Sequence, residues 1–84
     1  MSEIEGSVQE QLVRAARDLW STVVESGEDY IVFMDRRRGN TRIARKPNGM
    51  YGVSWELKDG SWVNHEREFE NPREAAFHGY QGPH

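Results

Sequence analysis

The stretch that decides the fold runs from Thr41 to Phe69 and reads TRIARKPNGMYGVSWELKDGSWVNHEREF. It contains one turn pattern twice, as KPNG at positions 46–49 and as LKDG at positions 57–60. Asn or Asp followed by Gly is typical of a type I turn that ends in a left-handed glycine, which closes a three-residue hairpin loop. The stretch therefore predicts two consecutive β-hairpins, which together form an antiparallel meander.

The two loops also predict which residues face each other across the strands. The expected pairs are Thr41 with Trp55, Ile43 with Val53 and Arg45 with Tyr51 across the first loop, and Trp55 with Val63 and Val53 with His65 across the second. Because side chains alternate along a strand, this register collects the apolar residues, including Phe69, on one face. The opposite face, called the outer face below, then carries Arg42, Ala44, Lys46, Gly52, Ser54, Glu56, Trp62, Asn64, Glu66 and Glu68.

A helix is predicted ahead of the meander. Ser7 and Glu10 have the spacing of a capping box, in which each side chain accepts from the other residue's amide. Apolar residues then follow at helical spacing, namely Leu12, Ala16, Leu19, Trp20 and Val23. Gly27 is placed to end the helix, since glycine is the usual residue after a helix C-terminus. We expect a helix from Val8 to about Ser26.

Two shorter elements complete the chain. The apolar and β-branched run from Tyr30 to Met34 predicts a buried strand. Asn71 followed by Pro72 and, three residues after the Asn, Glu74 is typical of a helix start. The expected buried side of this second helix consists of Ala75, Ala76, Phe77 and Tyr80, and the residues expected to end it are Gly79, Gly82 and Pro83.

These elements predict an α+β fold in one domain that spans residues 1–84, with frayed ends at 1–6 and 81–84. The order is an N-terminal helix, a four-stranded antiparallel meander and a short C-terminal helix. One apolar sheet face needs a cover, and the first helix is the only element large enough to provide it. We therefore expect a two-layer sandwich whose outer face is open to solvent.

Charge is distributed unevenly along the chain, whose formal net charge is −3. Six positive charges and no negative ones fall between positions 36 and 46, at Arg36, Arg37, Arg38, Arg42, Arg45 and Lys46. This basic segment has two functional interpretations, a contact to nucleic-acid phosphate or a docking patch for an acidic protein surface. The alternative is a solvated loop beside an edge strand that charged side chains protect from aggregation.

Trp62 is the most informative residue of the predicted outer face. An indole on an open polar face, near Ser54 and Asn64 and with Gly52 leaving room for close approach, is typical of a recognition surface. The alternative is that Trp62 lies against a neighbouring side chain as ordinary cover of the sheet. The candidate binding residues are Arg36, Arg37, Arg38, Arg42, Lys46, Ser54, Trp62 and Asn64.

Catalysis is not expected. The chain has no Cys and no pair of His at helical ligand spacing, and Glu66, Glu68 and Glu70 alternate along a strand rather than converge. His65 is expected on the inward face as a rim or core residue. We therefore expect no enzyme activity, no metal and no cofactor. Without a membrane-length apolar run or an export signal at the start, a cytoplasmic location is the expectation.

The second half of the chain resembles a known family. The residues that carry the likeness are Gly52-Val53-Ser54-Trp55, Gly60, Trp62, Phe69, Glu74-Ala75-Ala76 and Tyr80. They are similar to the pattern of the three-stranded DNA-binding domain of plant ethylene-response factors and of its phage integrase and homing-endonuclease relatives. The resemblance implies a sheet that lies in the DNA major groove. By position, Ser54, Trp62 and Asn64 would then be the contacts to DNA.

Two hypotheses of function remain open. In the first, the protein is a small non-enzymatic regulator or inhibitor that binds another protein through its outer face, with Trp62 as apolar anchor and both charge signs steering the orientation. In the second, it is a DNA- or RNA-binding module in which residues 36–46 hold phosphate while Trp62 and Asn64 approach bases. The acidic net charge favours a protein partner. A homodimer is also considered, because Val13, Trp20 and Val24 widen the apolar stripe of the first helix.

Overall fold

The structure is a computed structural model that describes residues 7–35 and 39–81. Its elements are α1 (Val8–Asp18), β1 (Thr22–Ser26), β2 (Tyr30–Asp35), β3 (Gly39–Arg45), β4 (Tyr51–Glu56), β5 (Trp62–Phe69) and α2 (Pro72–Gln81). The strands form one sheet in the order β1-β2-β3-β4-β5, and every neighbouring pair is antiparallel. The predicted α+β class is confirmed, but the predicted number of strands is wrong, because the sheet has five strands rather than four. Of the ends predicted to fray, 1–6 and 81–84, residues 1–6 and 82–84 lie outside the described residues, and Gln81 is the last residue of α2.

The first helix begins as predicted and ends earlier. The Ser7 hydroxyl accepts from the Glu10 amide at 3.1 Å and the Glu10 carboxylate accepts from the Ser7 amide at 2.9 Å, so the capping box is present. The helix stops at Asp18 because Trp20 has a positive φ of 62°. The Trp20 amide donates to the Arg17 carbonyl and the Ser21 amide to the Ala16 carbonyl, which is the Schellman pattern of a helix C-terminus.

The segment predicted as the end of that helix is instead the edge strand β1. Thr22, Val23 and Val24 are β-branched and favour extended backbone once the helix has been stopped. Val23 pairs with Phe33 of β2, and a β-bulge follows between Val23 and Glu25. The apolar spacing that suggested helix is thus produced by two different elements, α1 and β1.

The meander from β3 to β5 confirms most of the predicted register. All three pairs expected across the first loop are present, as is the pair of Trp55 with Val63 across the second. The loops have the expected form, since Gly49 and Gly60 have φ of 85° and 90°. Each glycine amide donates to the carbonyl three residues earlier, at 2.8 Å for Gly49 and 2.9 Å for Gly60.

One predicted pair, Val53 with His65, is replaced by a bulge in β5. The register shifts between Gly52 and Ser54, so that Gly52 pairs with Glu68. His65 stabilises the bulge, because its Nδ1 accepts from the Arg67 amide at 3.0 Å. The shift is an even number of residues, which keeps Phe69 on the core face opposite Tyr51.

Both helices pack on the same face of the sheet. α1 contacts β1 and β2, and α2 contacts β3, β4 and β5. They share a core that consists of Leu12, Ala16, Ile31, Phe33, Ile43, Tyr51, Val53, Trp55, Phe69 and Ala75. Within this core, the Trp55 indole Nε1 donates to the Gly79 carbonyl at 2.9 Å, which satisfies its polar atom where no water reaches.

The second helix is capped as predicted, with the Asn71 side chain accepting from the Glu74 amide at 2.8 Å. Ala75 and Ala76 are buried, but the expectation for Phe77 is wrong, since it is 50% exposed. Gly79 does not end the helix, which continues to Gln81. Gly79 is buried against the sheet. Only a residue without a side chain lets α2 approach the sheet this closely.

Candidate functional site

The pairing places the outer-face residues of the sheet in three rows. The first row is Glu25, Val32, Arg42, Ser54 and Asn64; the second is Tyr30, Ala44, Gly52 and Glu68; the third is Thr22, Met34, Asn40, Glu56 and Trp62. Neither helix packs on this side, because both contribute to the core on the other. Among the described residues, the outer face is therefore the side of the sheet that is available to a partner.

Four of the predicted site residues lie around one shallow depression of about 250 Å³, which Arg42, Lys46, Ser54 and Asn64 help to line. Two small residues of the second row, Ala44 and Gly52, lie between them. The depression exists because these small side chains sit between longer ones on the neighbouring positions.

Hydrogen bonds and an ion pair hold the polar side chains of the depression. The Ser54 hydroxyl donates to the Asn64 carbonyl oxygen at 2.7 Å. The Lys46 ammonium lies 2.8 Å from the Glu68 carboxylate, which also accepts from the Asn48 side chain at 3.1 Å. The Lys46 ammonium, and after it the Asn48 amide, holds the pKa of Glu68 below its ordinary value.

Gly52 has a different role from the one predicted. A Cβ at this position would lie 2.7 Å from Lys46 Cε, so the space above Gly52 is filled by the Lys46 side chain. The glycine therefore lets Lys46 cross the sheet surface to reach Glu68. Close approach of a partner to Gly52 would require Lys46 to move.

Arg42 is held by an aromatic residue. Its guanidinium carbon lies 5.1 Å from the centre of the Tyr30 ring, within the range of a cation–π contact. The Tyr30 hydroxyl donates to the Glu25 carboxylate, and this hydrogen bond is the main cause of the raised pKa of Tyr30. Arg42 forms no ion pair within residues 7–35 and 39–81. Sequence reasoning missed Tyr30 as a site residue because the whole run 30–34 was interpreted as buried.

Trp62 lies on the outer face as predicted, opposite Glu56 and 44% exposed. It stands beside the depression rather than in its lining. Met34, on β2 in the same row, is 42% exposed, and sequence reasoning also missed it. Three strand spacings separate the two, about 15 Å at the usual distance between strands. Between them, the Asn40 side chain donates to Glu56 at 2.9 Å.

Arg36, Arg37 and Arg38 lie outside the described residues. They connect Asp35 to Gly39, which pair with each other at the end of the β2–β3 hairpin. This is the end of the sheet at which the third row, with Met34 and Trp62, is located. The structure thus brings Arg42, Lys46, Ser54, Asn64 and Trp62 to one face, and it does not describe the other three predicted residues.

His65 occupies the inward side of β5, as expected. Its ring centre lies 5.3 Å from that of Trp55, 5.2 Å from that of Phe69 and 6.1 Å from that of His78. These contacts are those of a packed rim residue. Within the part of the chain that the structure describes, no group of three or more His, Cys, Asp or Glu is arranged to hold a metal ion.

Comparisons with known proteins give no further guidance: no family model, curated protein or solved structure matches the chain. The resemblance to the DNA-binding domain of ethylene-response factors therefore stays a prediction. No helix among the described residues is both long and apolar enough to cross a membrane.

Proposed function

We propose that this protein is a small, non-enzymatic regulatory or inhibitory binding protein that contacts another protein through the outer face of its sheet. The observation that carries the proposal is that both helices pack on one face, so that exposed Met34 and Trp62 remain on the other. This arrangement also supports our interpretation of the fold as a two-layer sandwich. A cytoplasmic location belongs to the same proposal.

Trp62 and Met34 are the apolar anchors of this surface. Tryptophan is enriched among the hot spots of interfaces, each of which contributes about 2 kcal/mol or more, or roughly 30-fold in affinity. The hydrogen-bonded pairs of Ser54 with Asn64 and of Asn40 with Glu56 provide polar groups of fixed direction between and beside the anchors. Such a polar surface with a few large apolar residues is typical of a protein–protein contact.

The charges of the outer face favour a protein over a nucleic acid. Arg42 and Lys46 are its cations, but Glu25, Glu56 and Glu68 are carboxylates of the same rows. Carboxylates that face a phosphate backbone repel it, whereas a protein partner can present complementary charges of both signs. The shallow depression of about 250 Å³ on this face is also smaller than most small-molecule pockets, which favours a macromolecular partner for the outer face.

A second candidate function is binding of DNA or RNA. It is favoured by the six positive charges between positions 36 and 46, two of which, Arg42 and Lys46, lie on the outer face. In this case the basic segment holds phosphate, and Trp62 and Asn64 approach bases. Binding to labelled duplex or single-stranded DNA would fall steeply with salt. Absence of binding at low salt rejects this candidate.

Partner capture with matched variants tests the main proposal. The immobilised protein is used to recover binding partners from cell extract, and Trp62→Ala is compared with Phe77→Ala. Phe77 is a suitable control because it is also about half exposed but lies on α2. We expect both variants to stay folded by circular dichroism and only Trp62→Ala to lose the partner. Retention by Trp62→Ala together with loss by Phe77→Ala contradicts the proposal.

A further inference from the structure

Trp20 combines an unfavourable backbone conformation with an almost fully exposed side chain. Its φ of 62° is in the left-handed region, where glycine is usual after a helix, and its side chain is 95% exposed. The left-handed conformation costs a residue with a Cβ about 1–2 kcal/mol. Glycine would form the same helix end without this cost, and the exposed indole makes Trp20 a candidate contact for another molecule.

Trp20 stands at the start of β1, which is one of the two edges of the sheet. Edge strands are usually protected by charged side chains. The other edge, β5, fits this rule, because it carries Glu66, Arg67 and Glu68. β1 carries one charge in five residues, and its Val24 is 50% exposed. β1 is therefore the less protected edge and the one that is suited to a contact.

The charges around β1 indicate which molecule makes that contact. Arg17 precedes the strand, is exposed and forms no ion pair with the described part of the chain. Glu25 lies in the strand, and Glu28 and Asp29 follow it, all three exposed. When two such edges lie antiparallel, the basic end of one meets the acidic end of the other. The edge is thus complementary in charge to a second copy of itself.

We propose that the protein forms a two-fold homodimer through its β1 edge, with the two strands antiparallel and Trp20 of each copy packed on the β1–β2 turn of the other. That turn offers an apolar platform, because the Tyr30 ring lies against Gly27, where a Cβ would be 2.2 Å from a ring carbon. Arg17, one helical turn before Trp20, then faces Glu28 of the other copy. The anchors Met34 and Trp62 of the proposed function are not part of this contact, so the dimer and the proposed function can fail separately.

The surface area that the proposed dimer buries determines how tightly the two copies bind. Each tryptophan buries about 150–250 Å² of its surface, and the symmetry doubles this contribution. The bulge at Val24 interrupts the strand, so the interface depends on side chains more than on a continuous ladder of backbone hydrogen bonds. An interface of this kind lies below the usual ~800 Å² per partner, and we expect a micromolar dissociation constant.

Sedimentation with Trp20→Gly tests the dimer. Glycine suits the positive φ, so this variant keeps its helix end and its fold, which circular dichroism checks. We expect the wild-type protein to change from monomer to dimer mass as its concentration rises, and Trp20→Gly to bind itself at least about 30-fold more weakly. Phe77→Ala, the matched control, dimerises like the wild type. A wild-type monomer up to about 1 mM, or an unchanged dimer of Trp20→Gly, overturns the proposal.

A charge exchange tests the antiparallel arrangement separately. Arg17→Glu and Glu28→Arg each place like charges together in their own homodimers, and each is expected to dimerise more weakly than the wild type. Mixed in equal amounts, the two variants regain opposite charges at both contacts and form a heterodimer. If the mixture associates no better than either variant alone, the arrangement is wrong.

Discussion

Replacing Gly79 by Ala tests how closely α2 packs on the sheet. The new Cβ would lie 2.9 Å from Thr41 Cγ2, 3.2 Å from Ile43 Cδ1 and 3.3 Å from Val53 Cγ1. Overpacking of this kind costs about 1–3 kcal/mol. The gain in helix propensity of Ala over Gly is about 1 kcal/mol and offsets part of it. We expect the free energy of unfolding to fall by about 1 kcal/mol, which lowers the melting temperature by about 4–8 °C in a domain of this size.

Urea unfolding followed by tryptophan fluorescence measures this change. Thr41→Ser provides the control, because it removes the methyl group that the new Cβ would meet at the shortest distance. In the double variant, Gly79→Ala should cost less than it does alone, since the two positions are in contact. If Gly79→Ala stabilises the protein by the full helix-propensity gain, or if the two changes are additive, α2 does not pack on the sheet as described.

Three further predictions concern other parts of the molecule. Trp55→Phe removes the hydrogen bond to the Gly79 carbonyl and is expected to lower the free energy of unfolding by about 2–3 kcal/mol in urea; an unchanged value contradicts this contact. Lys46→Met should raise the pKa of Glu68 towards its ordinary value in an NMR titration. Because folding lowers the pKa of Glu68, the ion pair stabilises the protein above the pKa that Glu68 has in the unfolded chain. This stabilisation is lost as the pH falls through the pKa of Glu68 in the folded protein. If Glu68 titrates alike in the wild type and in Lys46→Met, the ion pair is absent in solution. Trp20→Gly should raise the free energy of unfolding of the dilute monomer by about 0.5–1 kcal/mol, and a decrease shows that the left-handed conformation is wrong.

The elements whose ends carry a specific turn or cap residue could be predicted from the sequence. Gly49 and Gly60 fixed two loops, and the loops fixed the register of β3 and β4. Ser7 and Asn71 marked the helix starts. In each case one local interaction determines the backbone, so neighbouring residues are enough to infer it.

The features that were missed depend on contacts between distant residues or on an unusual conformation. The end of α1 is set by Trp20 in a left-handed conformation that its residue type disfavours, so no pattern rule finds it. The run Thr22–Val24 was the signal for β1, but its apolar spacing also fitted a helix. The bulge in β5 depends on the His65 side chain, and a register argument alone does not include it.

The candidate site was predicted in its central part and missed at its margins. Arg42, Lys46, Ser54 and Asn64 were assigned to the correct face because the hairpin register is right. Tyr30 and Met34 were missed because alternation along β2 was not applied to an apolar run. Once β2 is an inner strand of five, every second residue of that run lies on the outer face.

The central proposal is that a partner protein binds the outer face of the sheet at Trp62. Cross-saturation NMR of the isotope-labelled protein, bound to the protein recovered by partner capture, measures this directly. We predict that saturation reaches the amides of Arg42, Ser54 and Trp62 and leaves those of α2 unaffected. Saturation of α2 with an unaffected outer face would contradict the account.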